Sequence, residues 1–385
     1  MPPSNVTIAV AFGGPSPEHD VSVLTGLQAA RELISAGRSV IGLYWSKTAG
    51  WFRVDPAAEA AAFLDGVPRG AEPLRLQAGE DGGFVPTGSR LGRSRALGID
   101  VVVNCCHGGP GEDGSVQGML DLAGLRYTGP TVAGASIGMD KLAFAGMVAA
   151  AELPALPRKL LAPGGTDVGF GGPYIVKPRF GGSSIGVDVV ADLETAHARL
   201  GANPHLRRGA VIEPYRPDLH DLNIAVRSWP EIALSSIERP LRARDATELL
   251  GYGELLGYGE ILGYGDKYVG GEGMASAPRQ LPADITAAMA DAVRSAARRV
   301  ADQCALRGVA RIDFLVDDTS IYVNEINTIP GSLARYLWVE PVVAFGRLLD
   351  DLVDEALQQP AARYEVTGAD GTVLRSAGSI AGKLA

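Results

Sequence analysis

"VARIDFLVDDTSIYVNEINTIPG", Val309 to Gly331, reads as two apolar strands around a polar turn, with charged residues inside both strands. A three-residue turn at Asp318-Thr319-Ser320 sets Asp317 opposite Ile321, Asp313 opposite Glu325 and Arg311 opposite Asn327. Side chains alternate between the faces of a strand, so Arg311, Asp313, Glu325 and Asn327 share one face. Two carboxylates placed directly opposite each other repel. A hard cation between them reverses that penalty, and an Asp/Glu/Asn oxygen set suits Mg²⁺. The competing reading is a solvated hairpin with incidental charges. Both polar pairs meet in one register within otherwise apolar strands, which favours the metal.

Upstream, "KPRFGGSSIGV" sets Lys177 at a strand end before Gly181-Gly182-Ser183-Ser184. Backbone N–H groups in such a turn bind phosphate oxygens, and glycine lets a ligand come close. The turn lacks the Gly-Lys-Ser/Thr of a Walker A loop. Alone it is compatible with an ordinary hairpin; beside a Mg²⁺ site it points to a nucleotide.

The N-terminal third opens with "VTIAVAFGG" as a buried strand, "SVLTGLQAARELISAG" as a helix stopped by Gly37, and "SVIGLYWS" as a second strand. This is the start of a parallel α/β domain. "GIDVVVNCCHG" is a further buried strand, followed by a helix in "SVQGMLDLAG". A helix over "LAFAGMVAAAEL", strands at "PYIVKP", "IGVDVV", "AVIEPY" and "LNIAVRS", and a long helix from about Ala283 to Leu306 lead to the hairpin. "VAFGRLLDDLVDEAL" closes as a helix, and the tail predicts a small hairpin turning at Ala369-Asp370-Gly371.

The 385 residues predict two or three domains, and 46% hydrophobic content supports a large core. A net charge of −9 argues against nonspecific binding to nucleic acid or an anionic membrane. Cys105, Cys106 and Cys304 form no disulfide framework or metal spacing, and read as buried thiols. "NVTIAVAF" is too short for a signal peptide, and no apolar run reaches the roughly 18 residues that span a bilayer. A cytoplasmic protein is expected.

Seven motifs occur in chain order: "FGGPSPEHDVS", "HGGPGEDGSVQG", "MDK", "VKPRFGGSSIGV", "DKY", "ARIDF" and "NEINTIPG". Together they resemble the D-alanine–D-alanine ligases of the ATP-grasp superfamily, from Thr7 to about Leu357. The resemblance implies an N-terminal α/β domain (1–133), then an ATP-grasp fold of two subdomains (134–215 and 216–360) with a lid at 245–275, and a tail (361–385). It implies ATP and Mg²⁺ or Mn²⁺ as cofactors, amino-acid substrates, a homodimer, and the joining of two D-alanines for peptidoglycan.

By the same resemblance Glu18 holds the ammonium of the first D-amino acid and orients Ser183, which pairs with the lid's Tyr268. His107 lies near the reacting carboxylate; a structural loop histidine is the plainer alternative. Lys141 and Lys177 grip the ATP phosphates, and Lys267 closes over them. Glu213 and Tyr215 form the adenine hinge, and Asp221 stands where the family has a ribose-binding glutamate. Asp313, Glu325 and Asn327 hold the metal. Arg311 and the Gly331 N–H serve the oxyanion, and Ser332 and Leu333 hold the second amino acid's carboxylate.

The chemistry fits that assignment. A carboxylate is a poor acyl donor until ATP makes it an acyl phosphate, and phosphoryl transfer rests on positioning and electrostatics. The tetrahedral oxyanion then needs donors already in place. Water must be excluded, which requires a lid. "ELLGYGELLGYGEILGYGDKY", Glu248 to Tyr268, falls where the family has that lid, as a duplicated unit that is either working hinge or neutral slippage.

The chain departs from the family after Gly331. Ser332-Leu333 follow at once, and the segment before the last helix is about four residues short. Arg335, Tyr336 and Trp338 there could suit another acceptor, so a ligase of other amino acids stays open. A non-catalytic nucleotide-binding homologue is disfavoured because Lys177, Arg311, Asp313, Glu325 and Asn327 are all present. A dinucleotide oxidoreductase lacks its Gly-x-Gly-x-x-Gly after the first strand.

Overall fold

A glycine pair ends the first strand because nothing larger fits: at Gly13 (φ +92°) a Cβ would lie 2.3 Å from the Trp45 carbonyl. The strand before it, β1 (Thr7–Gly13), is almost wholly buried, and α1 (His19–Ser35) returns the chain to β2 (Ser39–Trp45). The computed structural model describes residues 3, 5–87, 95–241, 278–360 and 365–378. An antiparallel meander follows, of β3 (Trp51–Val54), β4 (Glu72–Gln77) and β5 (Gly83–Pro86). Then come β6 (Val101–Asn104), α2 (Ser115–Leu122) and β7 (Arg126–Tyr127). The sheet runs β5-β4-β3-β2-β1-β6-β7. The expected parallel half is β2-β1-β6-β7; the meander makes the whole sheet mixed.

Helices α3 (Val132–Met139) and α4 (Lys141–Ala150) meet at Asp140, whose Oδ1 accepts from the Leu142 and Ala143 amides as a cap. Next come β8 (Lys159–Leu160), β9 (Tyr174–Pro178), β10 (Asp188–Val190), α5 (Leu193–Ala202) and β11 (Ala210–Pro214). They form an antiparallel sheet ordered β10-β9-β11-β8.

A five-stranded antiparallel sheet completes the body, ordered β14-β13-β12-β15-β16. Its strands are β12 (His220–Arg227), β13 (Ala233–Pro240), β14 (Arg279–Gln280), β15 (Val309–Val316) and β16 (Ile321–Asn327). The long helix expected over 283–306 is α6 (Ala287–Gln303). Thr286 caps its start, accepting from the Met289 amide, and left-handed Ala305 (φ +46°) ends it. Helix α7 (Phe345–Gln358) follows the site. In the tail the expected hairpin is replaced by a short helix, α8 (Thr372–Ala377). Asp370 accepts from the Thr372 amide and Gly371 takes φ +77°, so the proposed turn starts a helix instead.

One core joins the N-terminal sheet to the far end of the chain: Ile8, Val10 and Phe12 pack in the same cluster as Leu337, Leu349 and Leu352. A second core lies under β12–β16 and takes in α6 and also Phe144 and Val148 of α4. The four-stranded sheet has a separate small core around Val176 and Ile212. All three cysteines are buried free thiols, and burial pushes Cys105 up to about 12. Among the described residues no helix is long and apolar enough to cross a membrane.

Candidate active site

The β15–β16 hairpin pairs Asp313 with Glu325 and Arg311 with Asn327, as its sequence predicts. The turn differs. Val316, not Asp317, pairs with Ile321, so the loop has four residues, 317–320. Asp317 stabilises that loop by accepting from the Thr319 and Ser320 amides. The extra residue is absorbed at Asn324, where the register shifts between the Phe314–Val323 and Asp313–Glu325 pairs. The bulge is required because Val323 and Ile326 are both buried though three apart, an odd spacing that a regular strand sends to opposite faces.

Arg311 grips Asp313 with Nε and Nη2, each 2.7 Å from a carboxylate oxygen. Asn327 Nδ2 donates to Asp313 Oδ2 at 3.0 Å, which turns its own oxygen away from that carboxylate. Glu325 keeps a quarter of its side chain exposed and lies 3.7 Å from Lys141 Nζ. Asp313 thus accepts from both Arg311 and Asn327 while facing Glu325 across the hairpin. Two opposed carboxylates suit a hard divalent ion, and Asn327 would supply its amide oxygen once its side chain turned over. Among the described residues no group of three or more His, Cys, Asp or Glu is placed to hold a metal ion; the third donor in this set is Asn327.

Lys141 and Lys177 reach the same cleft from α4 and β9. Both are nearly buried, and burial lowers the pKa of Lys141 from its ordinary value. Lys141 Nζ donates to the Gly181 carbonyl in the glycine turn. Glu213, 1% exposed, takes Lys177 Nζ at 2.9 Å and Arg158 Nε at 2.6 Å. Burial favours its neutral form, but the Lys177 and Arg158 charges outweigh that and hold it at about 2. The carboxylate expected at an adenine hinge is thus committed to two cations beneath the cleft.

Beyond the glycine turn stands Glu18, at the start of α1. Ser183, left-handed at φ +53°, donates its hydroxyl to Glu18 Oε1. Gly108 makes room for this carboxylate, since a Cβ there would lie 2.2 Å from Glu18 Oε2. His107 donates from Nδ1 to the Ile329 carbonyl at 2.7 Å, because a carbonyl can only accept. Its Nε2 therefore accepts from the Thr25 hydroxyl, 2.8 Å away, and Thr25 Oγ1 accepts from the Ser332 amide. Burial pushes His107 down to about 4, so the ring is neutral and braces the 329–332 turn. Glu112, from the same glycine-rich loop, accepts from the Gly108 and Ile329 amides. Burial, with the nearby Glu18 charge, pushes Glu112 up to about 7.

These residues line two chambers that share part of their walls. The larger runs between the four- and five-stranded sheets, past Lys141, Lys177, Glu213, Tyr215 and Asp221 to Arg311, Asp313 and Glu325. The smaller is walled by Glu18, His107, Glu112, Ser183, Asn327 and Gly331 and shares Arg311 and Glu325 with the first. Ser332 and Leu333 line neither. They follow Gly331 in a left-handed turn with φ near +50°, and Leu333 is 3% exposed in the shared core. Lys267, Tyr268 and the repeat lie outside the described residues. Glu112 also walls the smaller chamber, and Arg158 and Thr25 lie behind the walls, bonded to residues that form them. Only Glu112 had a local signal, the acid of "HGGPGEDG".

Two family models match the chain. Residues 7–130 match the family model "D-ala D-ala ligase N-terminus" and residues 134–358 match "D-ala D-ala ligase C-terminus". The D-alanine–D-alanine ligase of Mycolicibacterium smegmatis is 30% identical, covering 92% of this chain and 96% of its own. That of Mycobacterium ulcerans is 31% identical, covering 91% and 95%. The fold resembles the D-alanyl-alanine synthetase A of Vibrio cholerae, with TM-score 0.73, 22% identity and coverage of 93% and 100%. It also resembles the VanG D-Ala:D-Ser ligase of Enterococcus faecalis, with TM-score 0.71, 21% identity and coverage of 91% and 99%.

Proposed function

Because the chain belongs to the D-alanine–D-alanine ligase family, we propose that its two chambers join two D-alanines at the expense of ATP. ATP supplies the phosphoryl group that makes the first D-alanine's carboxylate an acyl phosphate, and the second amine displaces phosphate to give the dipeptide. Lys141 and Lys177 hold the phosphates in the larger chamber. Tyr215 and the backbone after Glu213 flank the base, with Asp221 toward the ribose. Asp313, Glu325 and Asn327 hold a divalent ion; their hard oxygen donors favour Mg²⁺. Glu18 takes the first D-alanine's ammonium, and Ser183 keeps that carboxylate aimed into the smaller chamber. Arg311 and the Gly331 N–H stabilise the oxyanion, which such donors favour by typically about 3–4 kcal/mol each. His107 is neutral and fully bonded, so its part is to hold the turn that carries Gly331. We assign the reaction to the cytoplasm, where ATP is supplied.

The observation that carries this reading is the seam. Arg311 and Glu325 belong to both chambers, so the phosphate lysines and the Glu18 pocket meet where a carboxylate and a phosphoryl group would react. Incubation with ATP, Mg²⁺ and D-alanine should release ADP and phosphate in step with D-alanyl-D-alanine, identified by mass. L-Alanine should be inert. If D-alanine fails while another amino-acid pair turns over, the acceptor assignment is wrong.

A further inference from the structure

Arg158 stands just before β8, and its side chain is 6% exposed. It lines neither chamber. Its guanidinium nevertheless joins three segments that carry the phosphate machinery. Nε meets Glu213 Oε1 at 2.6 Å, Nη1 meets the Lys141 carbonyl at 3.0 Å, and Nη2 meets the Asn324 carbonyl at 3.0 Å. Lys177 contacts two of the same side chains, with Nζ 2.9 Å from Glu213 Oε2 and 3.5 Å from Asn324 Oδ1. Arg158 and Lys177 thus share one carboxylate, and Arg158 also binds the bulge that precedes Glu325.

We propose that Arg158 is a positioning residue for the nucleotide's triphosphate, acting through Lys177, Lys141 and the Asn324 bulge. The proposal rests on the reading that these lysines grip phosphate. A lone Glu213–Lys177 pair is neutral, and the carboxylate competes with phosphate for the ammonium. A second cation on Glu213 leaves the group with net charge +1 and loosens that competition. The planar fork also fixes the spacing of α4, β11 and β16, which a point-charge ammonium cannot do.

The test is Mg²⁺-dependent binding of AMP-PNP, a non-hydrolysable ATP analogue, measured by calorimetry with melting temperature as the folding control. Arg158→Met should weaken binding about 10- to 100-fold, the scale typical of supporting residues. Arg158→Lys should fall between it and the wild type. Adding Glu213→Gln to Arg158→Met should restore part of the affinity, because the carboxylate that retains Lys177 is gone. In turnover, KM for ATP should rise while KM for D-alanine stays within about twofold. A folded Arg158→Met with affinity within twofold of wild type overturns the proposal, as does an equal rise in both KM values. If Arg158→Met does not fold, wild-type affinity in Arg158→Lys overturns it. Wild-type protein that binds AMP-PNP but leaves D-alanine unjoined would sink the functional reading while the Arg158 comparison still stands.

Discussion

Two groups in the smaller chamber, buried His107 and half-buried Glu112, titrate in opposite senses, and their contributions to stability should cancel. His107 sits at about 4 in the fold against an ordinary 6.5, so between those values the unfolded chain binds one more proton. Stability therefore falls as pH falls through that window. Glu112 sits at about 7 against 4.5, so there the folded chain binds the extra proton and stability falls as pH rises. Between pH 4.5 and 6.5 the two slopes offset each other. Glu112→Gln removes one of them; the Gly108 and Ile329 amides donate to separate Glu112 oxygens, so the glutamine keeps one of those bonds and loses the other, a cost that does not change with pH across this window. Its stability should rise with pH more steeply than the wild type's, by roughly 1.4 kcal/mol per pH unit. Urea unfolding at three pH values across the window checks this; equal slopes would mean that Glu112 is ionised in the fold. Glu325→Gln is a different kind of change, since it removes charge from the proposed metal set and keeps shape. Turnover at saturating Mg²⁺ should drop at least about 100-fold with the melting temperature little moved. A near-normal rate would take Glu325 out of the metal site.

The hairpin shows how far an element can be read from its own residues. The pairing of Asp313 with Glu325 and of Arg311 with Asn327 was legible because polar residues at alternate positions stand out in apolar strands. The four-residue loop and the bulge were not, because one extra residue in each place cancels in the final register. The Val323–Ile326 spacing held the clue to the bulge. Arg158 was illegible for another reason: its partners Lys141, Glu213 and Asn324 come from three distant segments, and "LPRK" alone shows a surface cation. The left-handed turn at Ser332-Leu333 likewise depends on the Thr25–His107 brace, which no local pattern records. If the bulge is an inserted residue in an otherwise regular strand, deleting Asn324 leaves Val323 and Ile326 facing the core and Glu325 and Asn327 facing the cleft. The deletion variant should fold and melt cooperatively, with weakened nucleotide binding from the lost Arg158 contacts. A chain that no longer folds would show that the bulge itself, and not the apolar spacing, holds the hairpin together.

At the scale of the whole molecule, the cores divide the chain differently from its order. The N-terminal sheet shares one core with the 329–338 turn and α7, and Arg307 adds bonds to the Tyr127 and Gly129 carbonyls at 2.8 and 2.7 Å. Helix α4 precedes the four-stranded sheet but packs into the core of the five-stranded one. The four-stranded sheet has only its own small core. Much of its attachment to the rest is polar: Arg179 on Asp140, Ser183 on Glu18, and the Arg158 fork. Cooperative units follow buried apolar contact, so this sheet should open at a lower free energy than the remainder. Hydrogen exchange in native conditions should therefore protect amides of β9 and β11 less than those of β1, β6 and β15. On the proposed placement of the nucleotide between the two sheets, AMP-PNP with Mg²⁺ would bridge the cleft and favour the closed arrangement. At 100 times its dissociation constant it should add about 2.7 kcal/mol to that opening. The gain should fall on β9 and β11, because the other strands already exchange through a costlier opening. If β9 and β11 match β15 without nucleotide, the polar contacts alone weld the sheet into one unit. The larger chamber would then be rigid, and nucleotide would find its lysines already placed.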